Sequence, residues 1–523
     1  MRRLMWIHPL LFAWLAPAAL LSHNIESAPP YTAIRAFLAA AGLSLLVLLV
    51  FRAVALAWTE AAFLTSMVMM TSSVFGNLLQ LIGARNIGPA SIRFHLISLL
   101  VFSGFIGACL WWTRKTHALS PRVHVFLTLV GAVMIGSYTV RIAAHERLTQ
   151  IPLSLPAMSS ELERYRTTSP PAQTPDIYYV IVDGYGRDDV LRDTYGLDNS
   201  EFLQTLRRRG FFVVPEARSN YAQTSLSLAS SMNMSYLDEL TTLKDIGLSQ
   251  SYVTRLFRHN EVMNVLRSAG YSVISIPVTY NRTLLPTADV TYEYSSGSVN
   301  SFESLLLENS IFWSPFILAR GIDPALPFPG YASRRESILA NKAALEDAIL
   351  MPGPKFVFAH LAVPHPPFVF NRTGGPTDAP YPYREQDGDQ FQGSLQEYLT
   401  GYGEQVLFAN HLVVAFLDQL ELQGRTGDIV ILQGDHGPGS GLNWLDPAGT
   451  DMRERHSILN AIRAAGLDEE SFEPTASPVN TFRILFNDLF DASYPRLADE
   501  SYFSSWTAPY SFLPVPESDL RRR

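Results

Sequence analysis

The sequence predicts an α/β protein in two parts: a transmembrane bundle of five apolar helices, then a large domain with a mainly parallel central sheet flanked by helices. Three observations predict it. Five apolar stretches of roughly bilayer-spanning length are crowded into the first 145 or so of 523 residues. From Asp176 onward, short runs rich in β-branched and aromatic residues alternate with helix-period patterns, which implies parallel strands joined by helical crossovers. Charge divides at the same place. Residues 1–147 hold eleven Lys and Arg against three Asp and Glu, a net +8, so with −8 for the whole chain the remainder carries −16.

The apolar stretches lie near 4–22, 33–51, 54–76, 94–113 and 121–140. The first begins Met1-Arg2-Arg3 and contains Ala-Pro-Ala-Ala, as a cleaved signal would, but four more stretches follow at short intervals and favour a multi-span anchor over 1–145. Arg2, Arg3, Arg52, Arg114, Lys115 and Arg122 fall on one side of such a bundle and chiefly Arg85 and Arg93 on the other. This bias predicts an amino terminus inside and, after five crossings, a catalytic domain outside a bacterial-type cytoplasmic membrane. Arg35, Arg52 and Glu60 lie near span ends and read as interfacial residues rather than an ion pathway.

Residues 146–175, with Pro152, Pro156, Pro170, Pro171 and Pro175, read as a linker, and 176–523 as the outer domain. Its acidity argues against nucleic acid as a partner. Cys109, the only cysteine, sits in the fourth apolar stretch, so the outer domain has neither a disulfide nor a thiol nucleophile. Strands are expected at Ile177–Val182, Phe211–Val214, Tyr271–Ile276, Phe356–Val363 and Ile429–Leu432, and helices near 199–209, 259–269, 332–349 and 397–422.

Four motifs carry the chemistry. The first strand runs into Asp183-Gly184-Tyr185-Gly186, and the strand at 429–432 into Gln433-Gly434-Asp435-His436-Gly437. Both place a carboxylate beside glycine at a strand's carboxyl end, where open α/β sheets hold their ligands. Capping a turn is the ordinary role of such an Asp, and it takes the pair, with an adjoining imidazole, to point to a shared cation. Ser219 to Asn233 is dense in hydroxyls and starts a helix near Thr224; there Thr224 or Ser225 is either a plain N-cap or a hydroxyl at an anion-binding helix end. The run Phe356 to Phe368 carries His360 and His365. His360 falls within the strand as a core or sheet-edge histidine. His365, between prolines, is the better candidate for substrate contact or leaving-group protonation.

In this order the motifs resemble the alkaline phosphatase/sulfatase superfamily, in its membrane-anchored branch of lipoteichoic acid synthases and phosphoethanolamine transferases. The resemblance runs from about Asp176 to at least Ala461, with Ser477 to Arg483 similar to the tail of such proteins. It implies a sulfatase-like fold and one divalent metal ion (Mn, Zn or Mg) held by Asp183, Thr224, Asp435 and His436. It also implies Thr224 as a nucleophile forming a covalent intermediate, and His365, His456 and His360 as substrate contacts. The substrate it implies is a membrane phospholipid headgroup or an envelope glycan. Two departures limit the analogy: the first metal motif is a single Asp183 followed by Gly184 where many sulfatases have paired aspartates, so one metal is expected rather than two, and the nucleophile motif differs. Gln223-Thr224-Ser225-Leu226-Ser227 lacks the Cys/Ser-x-Pro-x-Arg of formylglycine sulfatases, so phosphoryl-type transfer is expected over sulfate ester hydrolysis. A phosphodiesterase or phosphatase using water, and a catalytically silent membrane scaffold, are the rival expectations.

Overall fold

The computed structural model describes residues 7–54, 56–81, 89–116, 120–153, 174–243, 250–278, 281–294, 296–465, 472 and 476–521. Contacts divide the chain into two compact units: Met1–Arg147 with Gly297–Ser333 and Pro380–Tyr383, and Leu148–Ser296 with Arg334–Ala379 and Arg384–Arg523.

The first unit contains the five expected helices, α1 (His8–Asn24), α2 (Ile34–Ala53), α3 (Trp58–Leu81), α4 (Pro89–Thr116) and α5 (Pro121–Thr149). Three segments are long and apolar enough to cross a membrane: Pro30–Ala53, Ile92–Lys115 and Pro121–Thr149. Of the five expected spans, these three are shown among the described residues, and five crossings are not. α1 has 17 residues and an internal Pro17, and α3 carries Thr65, Ser66 and Ser72 buried. Phe12 and Ala13 of α1 pack against Met69 of α3, and His8 bonds Ser66 (Nδ1 to Oγ, 2.6 Å) and His124 of α5 (Nε2 to Nδ1, 2.9 Å). Most of the exposed apolar side chains among the described residues lie on α2, α4 and α5, among them Leu38, Leu46, Leu100, Val101, Leu129 and Val133, with Trp58 and Val74 on α3. Polar side chains turned inward and leucines turned outward are the arrangement a lipid solvent selects.

Residues 297–333 form α11 (Ser301–Glu308) and α12 (Trp313–Ile322), which pack in this unit although the sequence around them belongs to the second. The linker expected over 146–175 is helical to Thr149, and its 154–173 portion lies outside the described residues.

In the second unit, strands β1 (Ile177–Val182), β2 (Phe212–Val213), β3 (Ser272–Ile276), β4 (Val290–Thr291), β5 (Lys355–Leu361), β6 (Ile429–Gln433) and β7 (Asn460–Arg463) form one sheet in the order β2-β7-β6-β1-β5-β3-β4. β1, β3, β4, β5 and β6 are parallel, and β7 and β2 complete one edge antiparallel. β1 is buried along its whole length, which is why it reads as an unbroken apolar run rather than an alternation. Ile177, Tyr179 and Ile181 share one core with Phe356, Phe358, Ile429 and Ile431, while Tyr178 faces the other way and meets Phe416 edge-on at 5.5 Å.

Helices cover both faces: α6 (Asp188–Tyr195), α7 (Ser200–Arg208), α8 (Thr224–Asn233), α9 (Ser251–Arg258), α10 (Glu261–Ser268), α13 (Tyr331–Leu350), α14 (Leu395–Leu422), α15 (Met452–His456), α16 (Pro478–Phe490) and α17 (Glu517–Leu520). α14 opens with a reciprocal cap in which Ser394 accepts from the Glu397 amide and Glu397 from the Ser394 amide, so two otherwise unpaired donors are satisfied. The carboxyl-terminal tail packs on this unit. Its short hairpin β8 (Tyr502–Phe503) and β9 (Leu513–Pro514) brings Tyr502 and Phe512 against Tyr221, with ring centres 5.7 and 5.1 Å away.

Parallel register sets Val182 opposite Leu361 and Ile181 opposite Gln433, so β1, β5 and β6 end side by side. At the opposite edge the buried Lys355 ammonium pairs with the buried Asp176 carboxylate, which Arg425 also approaches at 3.2 Å. Lys355→Ala is expected to destabilise this unit by about 3 kcal/mol, because Asp176 would keep only the amide of residue 355 and the partly exposed Arg425. Denaturant unfolding followed by tryptophan fluorescence measures it, and an unchanged midpoint would contradict the buried pair's role.

Candidate active site

The side-by-side strand ends bring together residues more than 250 positions apart. Leaving β1, the Asp183 amide donates to Leu361 O (3.0 Å), and Gly184 takes φ +72°, a conformation glycine adopts without strain. The Gly184 amide donates to Asp435 Oδ1 at 3.0 Å, which ties the two carboxylate-bearing turns to each other. Tyr402 of α14 locks the first turn from below: its hydroxyl donates to Gly184 O and accepts from the Gly186 amide, both at 2.9 Å. After β6 the chain folds back so tightly that a Cβ at Gly437 would stand 2.0 Å from Glu454 O.

Asp183 Oδ1 lies 3.8 Å and Asp435 Oδ2 3.4 Å from His436 Nε2. His436 Nδ1 lies 2.9 Å from Gly437 O, so a proton on Nδ1 leaves the Nε2 lone pair facing the Thr224 hydroxyl, 3.0 Å away. Thr224 is the first residue of α8, and Gln223, which precedes it, is extended and offers no side-chain cap. The helix end therefore presents open N–H groups beside that hydroxyl.

His360, on β5, is buried with Nε2 3.4 Å from Asp183 Oδ2. His365 is tethered by its amide to Asp183 O (3.0 Å) and has Nε2 3.9 Å from Asp387 Oδ2. His456, at the end of α15, is buried with Nδ1 3.2 Å from both the oxygen and the hydroxyl of Ser219. The structure thus groups Asp183, Thr224, Asp435 and His436, sets His360 beneath them and His365 at the rim, and holds His456 behind α8's approach.

Burial alone would push the Asp183 carboxyl up, yet the imidazoles of His365, His360 and His436 outweigh it and hold it well below the usual carboxylate range. Burial and then the Arg455 guanidinium push His436 down, against the pull of Asp435 and Asp183.

The donor set fits a divalent cation. Among the described residues, Asp183 Oδ1, Asp435 Oδ2 and both ring nitrogens of His360 are buried without a hydrogen-bond partner. Such atoms are costly to leave bare. Ligand atoms of Asp183, His365 and His436, and of Asp183, His360 and Asp435, lie within 4.8 Å of one another. The carboxylate oxygens suit Mg or Mn and the imidazole nitrogens Zn, so the mixed set does not single out one of Mn, Zn or Mg.

Sequence reasoning misses Asp387 and Arg455. Asp387 is buried; its Oδ2 takes Arg455 Nη1 at 2.8 Å and its Oδ1 takes the Tyr398 hydroxyl at 2.6 Å. Arg455 also donates to Ala222 O and Gly437 O, joining the nucleophile's approach to the Asp-His turn, and lies over Trp444. Asp387 sits in Arg384-Glu385-Gln386-Asp387-Gly388-Asp389, a charged run that reads as a solvated loop. For Arg455 the available signal is its place next to His456.

No curated protein matches the chain. Solved structures similar to it include the zinc complex of the periplasmic domain of EptC from Escherichia coli, at 13% identity and TM-score 0.42, covering 67% of this chain and 96% of that one. Others are the phosphonate monoester hydrolase of Agrobacterium radiobacter (13%, TM-score 0.41, 63% and 80%) and the soluble domain of lipooligosaccharide phosphoethanolamine transferase A from Neisseria meningitidis (13%, TM-score 0.39, 66% and 95%). The Sulfatase family model matches residues 175–459, more than half of the chain and inclusive of the ends of β1, β5 and β6. By that match the chain belongs to the Sulfatase family.

Proposed function

We propose that this protein transfers or hydrolyses a phosphoryl-type group on an envelope lipid headgroup or glycan, outside a bacterial-type cytoplasmic membrane, through a covalent intermediate on Thr224. The observation that carries the reading is the Thr224 hydroxyl 3.0 Å from His436 Nε2, at an uncapped helix end and beside two buried carboxylates. That three amino-terminal segments are long and apolar enough to cross a membrane supports a substrate that is itself membrane-bound.

Asp183, Thr224, Asp435 and His436 would hold the divalent cation. When bound, it supplies Lewis-acid chemistry, easing loss of the hydroxyl proton and offsetting charge on the phosphoryl oxygens. The chain's own groups do the rest. Thr224 Oγ attacks phosphorus as the bond to the leaving oxygen breaks, while the open amides of α8 receive the phosphoryl oxygens. His365, at the rim, delivers a proton to the leaving oxygen. A sugar hydroxyl or water then attacks the same phosphorus and gives its proton to the now unprotonated His365, while Thr224 Oγ departs and takes back from solvent the proton it released there on attack. Phosphoryl transfer is favoured over sulfate ester hydrolysis because Gln223-Thr224-Ser225-Leu226-Ser227 holds no formylglycine precursor motif.

His456 has a different task. Burial pushes its imidazole down to about 3, only partly opposed by the Ser219 carbonyl. It stays neutral through the physiological range and acts as a hydrogen-bonding group rather than a proton carrier.

Purified full-length protein should turn over bis-nitrophenyl phosphate and lose that activity on chelation. Thr224→Ala should lower turnover by about four orders of magnitude, whereas Thr224→Ser retains part of it. Mass spectrometry should find a phosphoryl adduct on the peptide containing Thr224, its mass reporting the group transferred. Turnover surviving in Thr224→Ala would overturn the reading.

The depressed His456 value sets a sign for stability. The unfolded imidazole binds its proton near pH 6.5 and the folded one only near 3, so stability is lost as pH falls through that window. By pH 5.5 the loss from this group is about 1.4 kcal/mol, and His456→Gln should remove that share of the acid sensitivity. Unfolding midpoints of the two proteins at pH 7.5 and 5.5 measure it; equal pH dependence would refute the assignment.

A further inference from the structure

The segment 297–333 leaves the second unit's sequence after Ser296 and rejoins it at Arg334, yet its own packing is with the amino-terminal helices. Its anchors there gather at one end of the bundle. Arg35, in the first turn of α2, donates to both Glu303 oxygens (2.9 and 2.7 Å) and to Ser298 O. Asn300, the α11 cap, donates to Thr32 O at 2.9 Å. Phe302 packs with Leu21 and Ile25 at the end of α1 and Ala33 and Ala36 at the start of α2, with Ile142 of α5 alongside. The Ile311 amide donates to Ser72 O of α3, and buried Ser314 lies 2.9 Å from buried His95 near the start of α4. These are the ends where α1 meets α2, where α4 begins and towards which α5 runs out.

α12 has two faces. Trp313, Ser314, Ile317 and Arg320 are buried, the Arg320 guanidinium lying over Phe328 at 3.9 Å. Phe312, Pro315, Ala319 and Ile322 recur every three or four residues and form the other face, with Phe312 41% and Ile322 88% exposed. That face carries no charge and no polar side chain. Set in water it would be an exposed apolar stripe of the kind that marks a contact surface. α12 packs against α4, where a Cβ on Gly321 would meet Ile92, and Leu96, Ile97 and Leu100 of α4 are likewise exposed apolar side chains.

We propose that residues 297–333 are a membrane-interface element, with α12 lying along the outer leaflet and Phe312, Pro315, Ala319 and Ile322 in contact with phospholipid acyl chains. The proposal rests on the reading of the amino-terminal helices as membrane spans. An interfacial helix of this kind fixes the depth of its own backbone at the headgroup boundary. It therefore gives the chain a second attachment to the bilayer surface, between Ser296 and Arg334, in addition to the one that ends with α5.

The test uses the full chain with its one cysteine, Cys109, replaced by serine, reconstituted in vesicles of phosphatidylethanolamine and phosphatidylglycerol. Ile322→Cys, Phe312→Cys, Val133→Cys (on α5, 71% exposed) and Leu422→Cys (at the end of α14, 74% exposed) each receive an environment-sensitive fluorophore. Doxyl-labelled lipid should quench positions 322, 312 and 133 and spare 422, and aqueous iodide should do the reverse. Quenching of 322 and 312 by iodide alone, or by neither agent, as burial against a second copy or another protein would give, overturns the proposal while 133 remains lipid-quenched. Failure at 133 itself removes the membrane reading, and the proposal with it.

Discussion

The site depends on two carboxylates buried at one sheet edge with too few protein donors to neutralise them. Asp435 Oδ1 has the Gly184 amide, but Asp435 Oδ2 and Asp183 Oδ1 have no hydrogen-bond partner among the described residues. Desolvated negative charge of this kind survives in a folded protein only where the surroundings over-determine it and a counter-charge is supplied. The surroundings do so through backbone. Parallel registry of β1 with β5 and β6 fixes the strand ends, Tyr402 clamps the Gly184 turn, and contact with Glu454 O leaves no room for a side chain at Gly437. The histidines then supply the balance of the field, which is why the Asp183 carboxyl stays ionised despite burial.

A second layer sets the approach to Thr224, and it is drawn from the far end of the chain. Gln223 Nε2 donates to Ser504 O at 3.0 Å and Asn220 Nδ2 to Glu500 O at 2.8 Å, so the loop leading into α8 is held by the tail. Trp506 of that tail stacks on Trp444 at 5.1 Å, and Trp444 in turn underlies Arg455, which holds Asp387. A side chain at the nucleophile's flank is thus positioned through two tryptophans and an ion pair that share no sequence neighbourhood.

Burial on both faces decides how much of this is legible in the sequence. The strands before Asp183 and Asp435 can be read because parallel strands covered on both sides leave unbroken β-branched runs, and the glycines after them mark where the chain turns. β7 leaves no such signal: Asn460-Ala461-Ile462-Arg463 has two polar ends and pairs antiparallel between β6 and the short edge strand β2, so neither an apolar run nor a crossover announces it. Asp387 is illegible for a different reason. Its charged neighbours look like surface, and only the fold reveals that a buried guanidinium from residue 455 meets it. His360 stands between two roles in the sequence, and the structure places it buried with both nitrogens bare, next to Asp183 and Asp435 rather than open to solvent.

The amino-terminal unit shows the same limit from another side. Hydropathy along a helix records composition, whereas the solvent a helix meets depends on which of its faces is covered. α3 looks like a span by length, but its buried Thr65, Ser66 and Ser72 turn it towards partners, and Ser66 completes a chain with His8 and His124 that would be costly in contact with lipid. α12 is the converse. At ten residues it is far too short to be counted as a span, yet one of its faces is as apolar as those of the helices beside it. Length alone ranks α3 above α12, for their mean hydropathies are nearly equal; what separates them is that α3 buries Thr65, Ser66 and Ser72 whereas α12 leaves Ile322 exposed.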